Sequence, residues 1–167
     1  MKNRILLIVI VTLLALAADQ GSKWWARGSL RGAPAITIIP GYLDLAYHEN
    51  PGSAFGLFRN VPGARFILIG VGLVALVMVW FMLRNVGKGR TVADLAFALV
   101  AGGAVGNLLD RIYIGRVVDF IVMHWHQKFS WPAYNVADAV LVVGVGLLVI
   151  VLGRKPQAAR AKTKRGR

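Results

Sequence analysis

Four stretches of the chain are apolar for long enough to cross a bilayer, and their polar residues crowd toward the ends. Crossing a hydrocarbon core of ~30 Å takes about 20 residues of helix. Residues 66–83 carry no charge at all. Residues 92–109 hold Asp94 near their start, where a carboxylate suits the helix dipole, and Asn107 near their end, and residues 136–152 are rich in Val and Leu with Asp138 one turn in. The first stretch admits two readings. Residues 5–18 alone make only about 21 Å of helix, and Lys2 and Arg4 ahead with Ala15-Leu16-Ala17 behind mimic a cleavable signal peptide. Continued through Asp19, Gln20 and Lys23 to the Trp24-Trp25 pair, the span becomes 5–25, about 31 Å long, with tryptophans at headgroup level. The fourfold helical pattern favours the second reading.

The connections carry structure of their own. Residues 36–47 contain two short β-prone runs around Pro40-Gly41, with Leu43, Leu45 and Tyr47 alternating with Asp44, Ala46 and His48. Asn50-Pro51-Gly52 then signals a turn. Residues 112–131 mix Trp125 and Trp131 with His124, His126 and Lys128, the composition of an interfacial segment. The expected fold is an all-α membrane protein. It has four transmembrane helices, with a small extracytoplasmic β-sheet and an interfacial segment on the outer side. Residues 1–153 form its single domain, and 154–167 a basic, disordered tail.

Composition narrows the function classes. The 167 residues are 57% hydrophobic, too apolar for a disordered chain or an ordinary water-soluble nucleic-acid binder. Twenty Lys+Arg against seven Asp+Glu leave a net charge of +13. Twelve of the twenty lie in three segments: Lys2 and Arg4; Arg84, Lys88 and Arg90; and seven in the tail. With four spans these segments share one side, so the positive-inside bias puts both termini in the cytoplasm and turns 26–65 and 110–134 outward. The tail is read as fixing topology and touching anionic lipid, not as a nucleic-acid arm.

Ionisable groups deep in a bilayer cost at least ~2.5–3.5 kcal/mol and should face protein and find partners. Asp19 and Lys23 are i, i+4 and can pair. Asn107 and Arg111 are i, i+4 with Asp110 between them, and Asn135 and Asp138 are i, i+3. Asp119 lies in Val117-Val118-Asp119-Phe120, an apolar context that resists ionisation. Singly, each group is accounted for by a helix cap, a snorkelling base or an interhelical hydrogen bond. Jointly they occupy one level, on the side to which the loops bring Asp44, Glu49 and Asn50. Gly102-Gly103-Ala104-Val105-Gly106 reads as a close-packing helix face.

The chain has no cysteine, its serines lack a nucleophile elbow, and His48, His124 and His126 lack a zinc motif. Asp119 and Asp138 remain as a candidate acid/base pair. Brought together, one would hold a proton while the other activates water. The rival reading is a proton- or ion-coupled carrier, which would want polar groups strung through the bilayer. A non-enzymatic assembly subunit is a third, with no need for two acids beside Asn and Arg.

Five blocks, in order, resemble one family. They are Asp19-Gln20-x-x-Lys23, Asn50-Pro51-Gly52-Ser53-Ala54-Phe55-Gly56, the stretch from Gly102 to Arg111, Val117-Val118-Asp119-Phe120 and Asn135-Val136-Ala137-Asp138. Together they look like the signature of lipoprotein signal peptidase, the bacterial signal peptidase II, with Ser53 and Tyr134 standing where Ala and Phe are commoner. The resemblance implies an aspartyl endopeptidase of the bacterial inner membrane, with no metal and no organic cofactor. Such an enzyme removes the signal peptide from prolipoproteins just before a diacylglyceryl-modified cysteine, its site facing the periplasm. It implies Asp119 and Asp138 as the catalytic pair, and Asn50, Asn107, Arg111 and Asn135 as substrate-binding or positioning residues, with Asn50 on substrate backbone. Asp19, Lys23 and Asp110 are implied as supporting residues. It also implies inhibition by globomycin-type cyclic peptides, and nothing requires more than a monomer. If the planar fork of Arg111 orients a carboxylate, Arg111→Lys should impair the reaction; unchanged rates would make it a packing residue.

Overall fold

The computed structural model describes residues 2–52, 58, 61–85, 91–126 and 128–153. Ser53 to Gly56, Lys88, Arg90 and the basic tail lie outside the described residues. Four helices are long and apolar enough to span a membrane: α1 (Lys2–Ser29), α2 (Ala64–Asn85), α3 (Thr91–Tyr113) and α4 (Val136–Gly153). All four expected spans are present, each helix reaching at least one residue beyond the run that announced it. The first differs most. It runs unbroken past Ala18 to Ser29, so the continued-helix reading describes the fold, at about 42 Å rather than 31 Å. Gly32, in the left-handed region at φ 75°, turns the chain away after it.

The central helix is α3, which packs against the other three and buries most of its length. By contrast α2 touches α3 and leaves most of its apolar side chains exposed, as a lipid-facing helix does. Small residues on α3 let its neighbours close in. A Cβ on Gly102 would stand 2.7 Å from Ala15 Cβ of α1, and one on Gly103 2.5 Å from the Ala137 carbonyl of α4. The glycine-rich run is therefore a packing face on two sides at once.

At the end away from the sheet, Arg4 reaches Asp94 at 2.7 Å and donates to the Leu83 carbonyl at the end of α2. Sequence reasoning gave Asp94 to the helix dipole alone; the structure adds this cross-helix partner. Asp94→Ala should lower thermal stability in detergent, by about 1.5–3 kcal/mol for a charged hydrogen bond lost. Turnover per folded molecule should stay unchanged, because the pair lies a helix length from the candidate site.

The sheet is antiparallel in the order β1 (Ile36–Ile39), β2 (Leu43–Asn50), β3 (Val117–Trp125), β4 (Phe129–Ser130). The segment read as interfacial thus supplies two strands of the same sheet. Periodicity concealed this, because Val117 to Phe120 are all buried and show no alternation. Val118 and Phe120 pack with Ala26 of α1 and Leu30 just after it, seating the sheet on the end of the bundle. A backbone bridge between Ile121 and Tyr134 then brings the chain back beside β3 just before α4 begins.

Candidate active site

The start of α4 is fixed by a reciprocal cap. Asn135 Oδ1 accepts from the Asp138 backbone N–H at 3.0 Å, and Asp138 Oδ2 accepts from the Asn135 N–H at 3.2 Å. This is the capping-box arrangement, two orphan donors satisfied at once. The helix-cap reading of Asn135 and Asp138 is therefore true, and it does not exclude a site. The cap leaves the Asn135 side-chain amine free to donate to Asp119 Oδ1 at 2.7 Å and to Asn107 Oδ1 at 3.2 Å.

Three asparagines build a cage around the two acids. Asp119 accepts from Asn135 on one oxygen and from Asn50 Nδ2, at 3.1 Å, on the other. Asp138 accepts from Asn107 Nδ2 at 2.8 Å and from the Asn135 backbone. One residue, Asn135, thus touches both carboxyl groups. The amide orientations are set by the network, since every oxygen faces a donor and every amine an acceptor.

Asn50 comes from the end of β2, where it pairs in register with Val117 and accepts from the Gly52 N–H at 3.0 Å. Its side chain is committed to Asp119 and to this turn. Arg111 departs from expectation. Its guanidinium donates to the carbonyls of Asn107 at 3.1 Å and Gly52 at 3.2 Å, clamping the turn after Asn50 to the end of α3. It holds backbone where the sequence suggested a carboxylate.

Asp19, Lys23 and Asp110 lie one layer deeper, all essentially without solvent exposure. Lys23 Nζ is 2.9 Å from Asp19, 3.1 Å from Asp110 and 2.9 Å from Asn107 Oδ1. Gln20, outside the expected site residues though within the first of the five blocks, bridges Asp19 and the Gly106 carbonyl at 3.0 and 3.1 Å. Gly106 is what admits Asp19, because a Cβ there would overlap the carboxylate.

Among the expected outer residues, Asp44 and His124 pair with each other at 3.2 Å on the sheet, and Glu49 meets Arg116 at 2.7 Å. Neither pair joins the cage. Among the described residues no three His, Cys, Asp or Glu side chains group as metal ligands.

Asp119 is 3% exposed. Burial, and then the charge of Asp138, push it up to about 6, against the pull of the Asn50 and Asn135 amides and Lys23. Two carboxyls held by one asparagine in a weakly hydrated setting can share a proton and act on water as acid and base. Among the described residues no serine hydrogen-bonds either acid, and the sequence has no cysteine.

A family model described as Signal peptidase (SPase) II matches residues 11–153. The lipoprotein signal peptidase of Syntrophotalea carbinolica is 36% identical over 149 residues, covering 89% of this chain and 91% of that protein. That of Symbiobacterium thermophilum is 38% identical over 147 residues, covering 88% and 94%. A solved chain described as "Bacterial membrane enzyme structure by the in meso method at 1.9 A resolution" superposes with TM-score 0.74 at 26% identity, covering 93% of this chain and 96% of that one.

Proposed function

Since this multi-pass membrane chain belongs to the signal peptidase II family, a family of proteases that process lipoproteins, we propose that it cleaves by an aspartic mechanism. One of Asp119 and Asp138 takes a proton from water, which attacks the scissile carbonyl. The other, protonated, polarises that carbonyl, and the proton passes on to the leaving nitrogen. The substrate is a prolipoprotein whose cysteine carries a diacylglyceryl group, cut just before that cysteine. The single observation that carries this reading is the contact of Asn135 with both carboxyls. Asn50, Asn107 and Arg111 position the pair and its turn, and Asp19, Lys23 and Asp110 support them.

A site at one end of the helices suits such a substrate. A signal helix and two acyl chains hold the cleavage point near the membrane interface, where water also arrives. We place the cage on the periplasmic side of the inner membrane, with the chain ends in the cytoplasm, by the distribution of Lys and Arg. Residues 1–153 act as one domain and as a monomer, and a globomycin-type cyclic peptide competes at the cage. A carrier is disfavoured because residues 5–18, 66–83, 95–109 and 139–153 contain no charged side chain to form a path.

Incubation of the purified protein with lipidated and unlipidated precursor tests the reading. Cleavage of the lipidated form alone, before the cysteine, is the expected result; transport without cleavage would refute it. The pH profile has a sign. The mechanism needs one proton on the pair, and the pair loses its last proton near Asp119's value of about 6. The one-proton form is therefore present below that pH and lost above it. In the free enzyme kcat/KM should fall on the alkaline side from about pH 6, with the limb moving higher in kcat as substrate excludes water.

A further inference from the structure

Lys23 stands on α1, a helix that contributes neither acid, and no part of it reaches solvent. Its ammonium has three N–H groups and three acceptors, on Asp19, Asp110 and Asn107, so its donors are saturated. Each acceptor leads on to the acid pair. Asp19 Oδ1 accepts from the Ala137 backbone N–H at 2.9 Å, the residue before Asp138. Asp110 Oδ2 accepts from the Val118 N–H at 3.1 Å, the residue before Asp119. Asn107 donates to Asp138 itself.

The Asn107 contact asks for an ammonium in particular. Turning that amide over would set its amine against the ammonium and against the Asn135 amine, and its oxygen against Asp138. A group that only donates forbids the turn. A neutral amide at position 23 could offer its own oxygen and allow it.

We propose that Lys23 is a positioning residue for the acid pair. Its ammonium locks the Asn107 amide in the orientation that donates to Asp138, and through Asp19 and Asp110 it holds the backbone on which each acid stands. The inference rests on reading Asp119 and Asp138 as the acids of the peptidase.

The test uses the full chain in lipid–detergent micelles and a synthetic precursor peptide bearing a diacylglyceryl cysteine. With rates normalised to folded protein, Lys23→Gln should lower kcat by about 100-fold while KM stays within about threefold. The alkaline limb of kcat/KM should also move to higher pH, because a cation that favours the Asp119 carboxylate is gone. The other charged groups around Asp119 are Asp138 on α4 and Arg111 and Asp110 on α3, with His48 opposite it on β2; the variant leaves all four in place.

A second variant, Lys23→Met with Asp110→Asn, keeps the net charge of the cluster but presents no donor to Asn107, and kcat should again fall at least about tenfold. Turnover within threefold of the parent in a folded variant overturns the proposal, and so does collapse of both variants, which would assign Lys23 to folding alone. Asp119→Asn run alongside separates the failures. If it is fully active, the acid-pair reading falls and takes this inference with it. If it is inactive beside a fully active Lys23→Gln, the inference alone falls.

Discussion

Replacing Asp119 or Asp138 by Asn should lower cleavage of a diacylglyceryl-modified precursor by about 10³-fold or more, since general acid–base catalysis alone contributes ~10²–10⁴ and the pair acts as a unit. The reason lies in the cage as much as in the lost acid. The two oxygens of Asp119 both face amines, from Asn135 and Asn50, and Asn50 Oδ1 is already taken by Gly52. An amide at 119 must therefore set one N–H₂ against another. At 138 the same change opposes either the Asn107 amine or the Asn135 backbone N–H of the cap. Each variant loses about one hydrogen bond and leaves one amine or N–H facing another, about 1–3 kcal/mol, too little to unfold a four-helix bundle. Membrane levels measured by immunoblot should thus match the parent while mass spectrometry finds no cut product. Product formed by either variant within tenfold of the parent rate would contradict the proposed mechanism.

The second large effect is expected at a residue with no chemistry. Gly103 faces the Ala137 carbonyl, and a Cβ there would also meet Leu141 Cγ at 2.7 Å and Val140 Cγ2 at 3.0 Å. Backbone cannot rotate out of the way, so Gly103→Val must push α4 off α3. Overpacking costs ~1–3 kcal/mol, and a contact with backbone belongs at or above the top of that range. Activity should fall further than stability, because Ala137 adjoins Asp138 and its N–H is held by Asp19. Gly146, also in a membrane helix, has nothing within 4 Å of a Cβ. Gly146→Ala should leave thermal unfolding in detergent unchanged or slightly raised, by up to ~1 kcal/mol from helix propensity. Equal melting shifts in the two variants would remove the packing argument.

Much of this molecule was legible as pattern. Hydropathy announced four spans, and polar residues inside them marked where the helices meet. The alternation of Leu43, Leu45 and Tyr47 announced a sheet. What misled was local reading of groups whose partners are remote. Arg111 looked like a partner for a carboxylate because its planar fork suits one and Asp110 adjoins it, yet that fork closes on Gly52, 59 positions away. Asp94 looked self-sufficient at a helix start, and Arg4 stands 90 positions before it. The four buried residues Val117 to Phe120 carry no period, so the third strand read as an interfacial stretch.

By itself the sequence determined the helices, because hydrocarbon leaves a chain no other way to satisfy its backbone than within each span. It also determined the inventory of the site, because polar groups are too costly in lipid to be there idly. Only the tertiary structure decided the pairing: that one asparagine serves two acids, that a lysine on the first helix meets two residues of the third, and that Arg111 grips backbone. Hydrogen bonds depend on directions and distances of a few ångströms between segments far apart in the chain, and spacing along a sequence carries neither.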